Sequence, residues 1–321
     1  MDHLARPNER AGQDVRGSEA RCDDHPVIEV THFTDPGCPW AYSAWPAHTT
    51  LKWRYGEQLS WTLVTIGLTE DASQYAARGY TPTRSAIGYA RFRRFEMPFQ
   101  ITPKARLSAT SPACRAIVAT RLAAPSLQDA ALRALQFAQF TTTGTLDDPD
   151  TLRAALAGVE GLDADAVVGS IDVPEVVAAY EADRARARAA AGSPTEFQGR
   201  AATSDGTVRY TAPSLVFDEP DGQRLEVGGF QPVEAYDVVI ANLDPTLERR
   251  PPAEDPVEVL SAFPYALTTA EVAAVMTEHL GLPNLAAVEA ALITATGEGR
   301  ADRRPAGDGS LWAQAPDTHL A

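Results

Sequence analysis

The sequence predicts an α/β fold in which a β-α-β unit and a β-β-α unit are separated by a long helical stretch, with a small separate unit near the C-terminal end. Three observations carry this reading. Val27 to Thr34 (VIEVTHFT) alternates apolar and polar residues and is rich in β-branched ones, a strand pattern that a helical pattern and a second strand follow. From about Glu70 to Ala191 the periodicity is mainly helical. Strand character returns only at Ser214–Phe217 and Leu225–Val227, on either side of Asp221-Gly222, a hairpin signal, and a helix closes the unit at about Pro232–Asn242.

Each element has a local reason. Asp35-Pro36-Gly37 ends the first strand. The helix that follows runs from about Pro39 to Tyr55, opening on a proline whose missing N–H would have had no partner there. Pro46 is expected to kink it. The second strand covers Leu59–Leu68. In the helical stretch, Thr81–Phe95 is an arginine-rich helix and Ser111–Leu122 opens with a Ser-Pro start. Leu127–Phe140, Asp148–Val159 and Val173–Ala191 follow, with Pro149 and Pro174 at first-turn positions.

The boundaries expected are a disordered tail at 1–25, an α/β domain from 26–69 and 192–244, a helical insertion at 70–191, a linker at 245–257 and a small domain at 258–315. The linker (PTLERRPPAEDPV) is proline-rich and charged. In the last unit, Thr268 and Glu271 suggest a capped helix to His279, Leu285–Thr296 a second helix, and RADRRPAGDGSLW two short strands around Gly-Asp-Gly. Helix, turn, helix and hairpin make it winged-helix-like.

Composition narrows the function. The 321 residues carry a net charge of −15 and are 44% hydrophobic. A uniformly acidic surface repels phosphates, which argues against nucleic acid and anionic membranes as partners. No apolar run reaches the ~18 residues of a membrane span. The polar first 25 residues lack the apolar core of a secretory signal, so a cytoplasmic location is expected. The cysteines, Cys22, Cys38 and Cys114, are too few and too scattered for a disulfide framework. No metal-ligand spacing or glycine-rich phosphate loop stands out.

The chemistry-bearing segment is Asp35-Pro-Gly-Cys38-Pro39-Trp40-Ala41-Tyr42. A cysteine between a strand and a helix N-terminus faces unpaired N–H groups and the positive end of the helix dipole. Such placement is expected to lower its pKa from ~8.5 to roughly 3.5–7.5 and make it nucleophilic.

This segment resembles the Cys-Pro-Trp-Cys motif of DsbA-like oxidoreductases, which have a thioredoxin fold with a helical insertion. Thr211-Ala212-Pro213-Ser214 resembles the family's cis-proline turn. The resemblance covers roughly residues 26–242. It implies that Cys38 is catalytic, and that Ala212 and Pro213 hold an extended thiol ligand through backbone groups. The departure is Ala41, which cannot resolve a mixed disulfide as a second cysteine does. Resolution then falls to a low-molecular-weight thiol that is not tightly bound, glutathione or mycothiol, or to Cys114 on the insertion, whose alternative reading is a buried small hydrophobe. An alanine- and arginine-rich, lysine-poor chain suggests a high-GC bacterial source; if that source is an actinobacterium, mycothiol is favoured.

Secondary candidates surround the cysteine. Pro39, Trp40 and Tyr42 are expected to line a substrate pocket, with packing as the alternative for the two aromatics. His32 could orient or protonate a group near Cys38. Arg91, with Arg93 and Arg94, could bind a carboxylate, or form a solvated helix face. Three functions remain open: a monothiol oxidoreductase acting on a disulfide or small electrophile, a thiol-dependent isomerase or transferase, and a redox-sensing binding protein. The second helix of the tail unit has Glu289 and no Lys or Arg, which argues against DNA recognition. Packing on the main domain, or forming a homodimer, is the expected role of that unit.

Overall fold

The computed structural model describes residues 27–316. Strand β1 (Ile28–Thr34) leads into helices α1 (Pro39–Ser43) and α2 (Trp45–Tyr55), then β2 (Leu59–Thr65). The helical insertion contributes α3 (Ser73–Ala77), α4 (Pro82–Phe92), α5 (Ser111–Ala123), α6 (Gln128–Thr141), α7 (Pro149–Leu156), α8 (Ala164–Gly169) and α9 (Pro174–Ala187). A short α10 (Pro194–Phe197) precedes β3 (Ser214–Asp218), β4 (Arg224–Gly228) and α11 (Val233–Leu243).

The four strands form one sheet in the order β2-β1-β3-β4. β1 and β2 are parallel, with Ile28 opposite Leu59; β3 runs antiparallel to β1, with His32 opposite Leu215, and β4 antiparallel to β3. This is the thioredoxin arrangement. The side-chain period of two splits the sheet into two faces. Ile28, Val30, Leu215 and Phe217 pack against Leu51 and Tyr55 of α2 and Tyr236 and Ile240 of α11. Phe33, Val64 and Val216 form the other face with Cys38, Ala41, Ala187 and Ala212. Helix α9 is tied to the sheet edge, where Asp183 accepts from the Thr65 N–H at 2.9 Å and from its hydroxyl at 3.0 Å. The expected interruption between Pro39 and Tyr55 is present: α1 ends at Ser43 and α2 restarts with Pro46 in its first turn.

The last unit consists of α12 (Pro256–Ser261), β5 (Leu267–Thr268), α13 (Thr269–Val275), α14 (Leu285–Gly297), β6 (Ala301–Ala306) and β7 (Gly309–Gln314), with sheet order β5-β7-β6. Thr268 and Glu271 form a full capping box. The segment before it is stapled along α2: the Arg250 N–H donates to the Arg54 carbonyl at 2.8 Å, and its guanidinium lies 3.4 Å over the Trp53 ring.

A buried ion pair joins the three parts. Arg133 of α6 donates twice to Glu271 of α13, at 2.6 and 2.9 Å, and Thr49 of α2 donates to the same carboxylate at 2.8 Å. Arg133 also lies 4.4 Å over both Trp45 and Tyr265. The hairpin tip adds a second clamp: Asp308 accepts from the Phe99 N–H at 2.7 Å and pairs with Arg93. Gly307 sits so close that a Cβ would lie 2.8 Å from the Phe99 carbonyl carbon.

Removing one partner of a buried pair leaves an uncompensated charge, at a cost of about 3–5 kcal/mol. Glu271→Ala is therefore expected to lower the denaturation midpoint strongly in a urea melt followed by tryptophan fluorescence. Arg133→Met with Glu271→Leu should recover much of the loss. Equal stability of Glu271→Ala and wild type would show that the pair does not hold the units together.

Candidate active site

Cys38 occupies the N-cap position of α1, with extended backbone at φ −90° and ψ 115°. The turn before it is closed by the Cys38 N–H donating to the Asp35 carbonyl at 3.1 Å. The Asp35 side chain organises the surroundings. Its Oδ1 accepts from the Gly37 N–H at 2.8 Å, and its Oδ2 accepts from the Leu68 N–H at 2.8 Å and the Thr110 hydroxyl at 3.1 Å. Gly37 is required by this closeness: a Cβ there would meet Thr110 Cγ2 at 2.4 Å, and Thr110 is buried and held by Asp35 and Thr69.

The cysteine itself is only 7% exposed. Its Sγ donates to the Ala212 carbonyl at 3.1 Å, and the Ala212–Pro213 peptide is cis. The turn suspected from the sequence thus meets the thiol through Ala212, whose carbonyl accepts a proton-bearing sulfur. Burial pushes the Cys38 thiol up to about 12. The N–H groups of Ala41 and Trp40 favour the thiolate, as expected for a helix start, and so does the charge of Arg209. Desolvation outweighs them, and the Asp35 carboxylate adds a like charge. The free site therefore holds a neutral thiol, which corrects the expectation of a lowered pKa. The sequence showed the helix start but not the depth at which it is buried.

Cys38 opens at the base of a cleft of about 390 Å³, formed between the first helix turn and the helical insertion. Pro39 and Trp40 line it. Trp40 is 40% exposed and rests among Phe92, Phe95 and Phe230, with ring centroids 4.8, 5.5 and 5.6 Å away. Ala212 and Pro213 are not among its lining residues.

The other expected residues lie elsewhere. Tyr42 is fully buried, stacked on Phe140 and donating to the Pro98 carbonyl at 2.9 Å; it packs α1 onto the insertion and does not line the cleft. His32 belongs to the α2 side of the sheet, where its ring meets His48 at 4.7 Å and Trp61 at 6.4 Å. Burial holds His32 down to about 3, so it stays neutral there. Cys114 is buried on α5, and its Sγ donates to Asp35 Oδ2 at 3.5 Å. Burial raises its thiol well above the usual range, and it does not line the cleft. Both thiols are free. Arg91 is exposed and does not line the cleft, while Arg93 is paired with Asp308 and Arg94 lies over Phe95. Cys22 lies outside the described residues, as does the expected tail at 1–25. Asp35 was legible only as a strand breaker, and Arg78 and Lys104 of the cleft wall carried no sequence signal.

The family model of the DSBA-like thioredoxin domain matches residues 29–212. The chain belongs to this family. Its members are thiol oxidoreductases, and the fold is theirs. Among solved structures, a "putative protein disulfide isomerase" from Nitrosomonas europaea shares 16% identity over 67% of this chain and 97% of its own, with a TM-score of 0.52. A "probable DsbA oxidoreductase" from Streptomyces coelicolor shares 17% over 71% and 93%, with a TM-score of 0.51. Both show the same fold. A search of curated proteins found no match. Among the described residues no helix is long and apolar enough to cross a membrane, and no group of three His, Cys, Asp or Glu is placed to hold a metal ion.

Below its pKa a thiol raised to about 12 forms thiolate in proportion to hydroxide concentration. With Cys22→Ser as background, Cys38 alkylation by iodoacetamide, mapped by mass spectrometry, should rise about tenfold per pH unit from 7 to 10 without levelling. A plateau beginning below pH 8 would show a stabilised thiolate instead.

Proposed function

We propose that this member of the family works as a monothiol oxidoreductase on small disulfides. Cys38, as thiolate, attacks one sulfur of a disulfide R–S–S–R′. The Cys38–S–R bond forms, the S–S bond breaks, and R′S⁻ departs, taking up the proton that Cys38 has given up. A second small thiol, glutathione or mycothiol, then attacks the mixed disulfide, restores Cys38 and carries R away as a new disulfide. This exchange leaves the number of disulfides unchanged; a second equivalent of the small thiol then attacks the new disulfide and releases R as a thiol, so two small thiols together supply the two electrons that reduce the substrate, and none remain on the protein. A reducing compartment such as the cytoplasm would keep the small thiol supplied.

The observation that carries this reading is that Cys38 is the only thiol lining the cleft among the described residues, with Ala41 at the place of a second one. Ala41 is buried one turn into α1, and its N–H already favours negative charge on the Cys38 sulfur. Cys114 is committed to Asp35. The cleft volume lies at the lower end of the roughly 300–1,000 Å³ usual for small-molecule sites. Once Cys38 has given up its proton it no longer donates to the Ala212 carbonyl, so forming the attacking thiolate breaks that contact.

The expected behaviour is that a mixed disulfide on wild-type Cys38, made with 2-hydroxyethyl disulfide, persists after excess reagent is removed and clears only when an external thiol is added. Ala41→Cys should clear it without any external thiol by closing an internal disulfide. Cys38→Ser should form no adduct in the cleft. If the wild-type adduct clears unaided, and Cys114→Ser stops that clearing, Cys114 is the resolving thiol and the monothiol cycle is refuted.

A further inference from the structure

We propose that the cleft above Cys38 selects small thiols and disulfides whose far ends carry carboxylates, and that Arg78, Arg84 and Lys104 read that charge. This rests on the monothiol reading and names its ligand class: a small peptide thiol with free carboxylates rather than an uncharged sugar-linked thiol such as mycothiol.

The cleft runs against the charge of the whole molecule. The chain has 43 acidic residues against 28 basic ones, yet the cleft is lined by Arg78, Arg84, Lys104 and Arg106 and by no Asp or Glu. Arg106 is neutralised by Asp147 at 2.7 Å. The other three make no ion pair among the described residues. Arg78 lies over the Tyr75 ring at 5.5 Å and Arg84 over Tyr80 at 5.8 Å, and Arg84 donates to the Gly79 carbonyl at 2.9 Å. These contacts hold the guanidinium groups beside the cleft while leaving most of their N–H donors unused. An arginine fork matches a carboxylate in two parallel hydrogen bonds.

Lys104 is the strongest sign of a missing partner. Its ammonium group is half-buried and donates only to backbone carbonyls, to Thr142 at 3.2 Å and to Gly144. Desolvation without a counter-charge holds it down to about 8. Burying a cation is unfavourable unless an anion accompanies it. A ligand carboxylate would supply that anion. The aromatic wall of Tyr75, Tyr80, Tyr89 and Phe92 covers the apolar middle of such a ligand, while its sulfur reaches Cys38.

The test compares three probes of Cys38 modification by mass spectrometry: oxidised glutathione (anionic), 2-hydroxyethyl disulfide (uncharged) and cystamine (cationic). Each rate is divided by the rate with free N-acetylcysteine to remove intrinsic reactivity. The expected order is glutathione, then 2-hydroxyethyl disulfide, then cystamine. Arg78→Ala with Arg84→Ala and Lys104→Gln should slow the glutathione reaction roughly tenfold and leave the uncharged probe almost unchanged. High salt should erode the same preference, since exposed charges are screened. The exposed double variant Arg78→Ala/Arg84→Ala, giving a smaller loss of the same sign, separates the charge effect from any folding defect at Lys104. Equal normalised rates for all three probes, with or without the cations, would overturn the charge selectivity while leaving the monothiol cycle standing. Failure of every probe to modify Cys38 would overturn both.

Discussion

The buried carboxylate of Asp35 is the point about which the site is built. It stands at the exit of β1, and it accepts hydrogen bonds from Gly37, from Leu68 at the start of the insertion, and from Thr110 and Cys114 around the start of α5. One side chain thus fixes the turn carrying Cys38 against both the sheet and the helical insertion. Burial raises its pKa, and the four donors oppose that rise. A buried carboxylate left without such donors would be strongly destabilising, so the donors and the acid are interdependent. The same bonds explain why Gly37 has no room for a side chain.

Two opposing effects set the state of the cysteine. The start of α1 turns N–H groups toward its sulfur, which favours charge. The surrounding apolar cluster of Phe33, Ala41, Val64 and Ala212 removes water, which disfavours it more strongly. The result is a thiol held well above its usual range and donating to Ala212.

Much of the architecture was legible from local pattern. The alternation in Val27–Thr34, the break before Pro46, the Asp-Gly turn between β3 and β4 and the Thr268–Glu271 cap each state their structure within a few residues. The match of Ala212-Pro213 to the cysteine was legible only through family resemblance, because nothing local links positions 174 residues apart. What the sequence hid was long-range and electrostatic. Tyr42 lies one helical turn after Cys38, yet it is drawn into the core by Phe140 and Pro98. His32 alternates onto the opposite face of the sheet from Cys38. The two-residue strand β5 is too short to show a period, and the Arg133–Glu271 pair joins segments whose spacing carries no signal. The cleft cations are scattered from residue 78 to 106 and become a set only when the insertion folds over Cys38.

The proposed cycle depends on Cys38 being the sulfur that exchanges. The direct measurement is peptide mapping of the native protein after exposure to a limiting amount of oxidised glutathione, with Cys22→Ser as background. One glutathione mass increment is expected, on the peptide containing Cys38, and none in Cys38→Ser. An increment on Cys114, or an unmodified Cys38 under conditions that modify free cysteine, would contradict it.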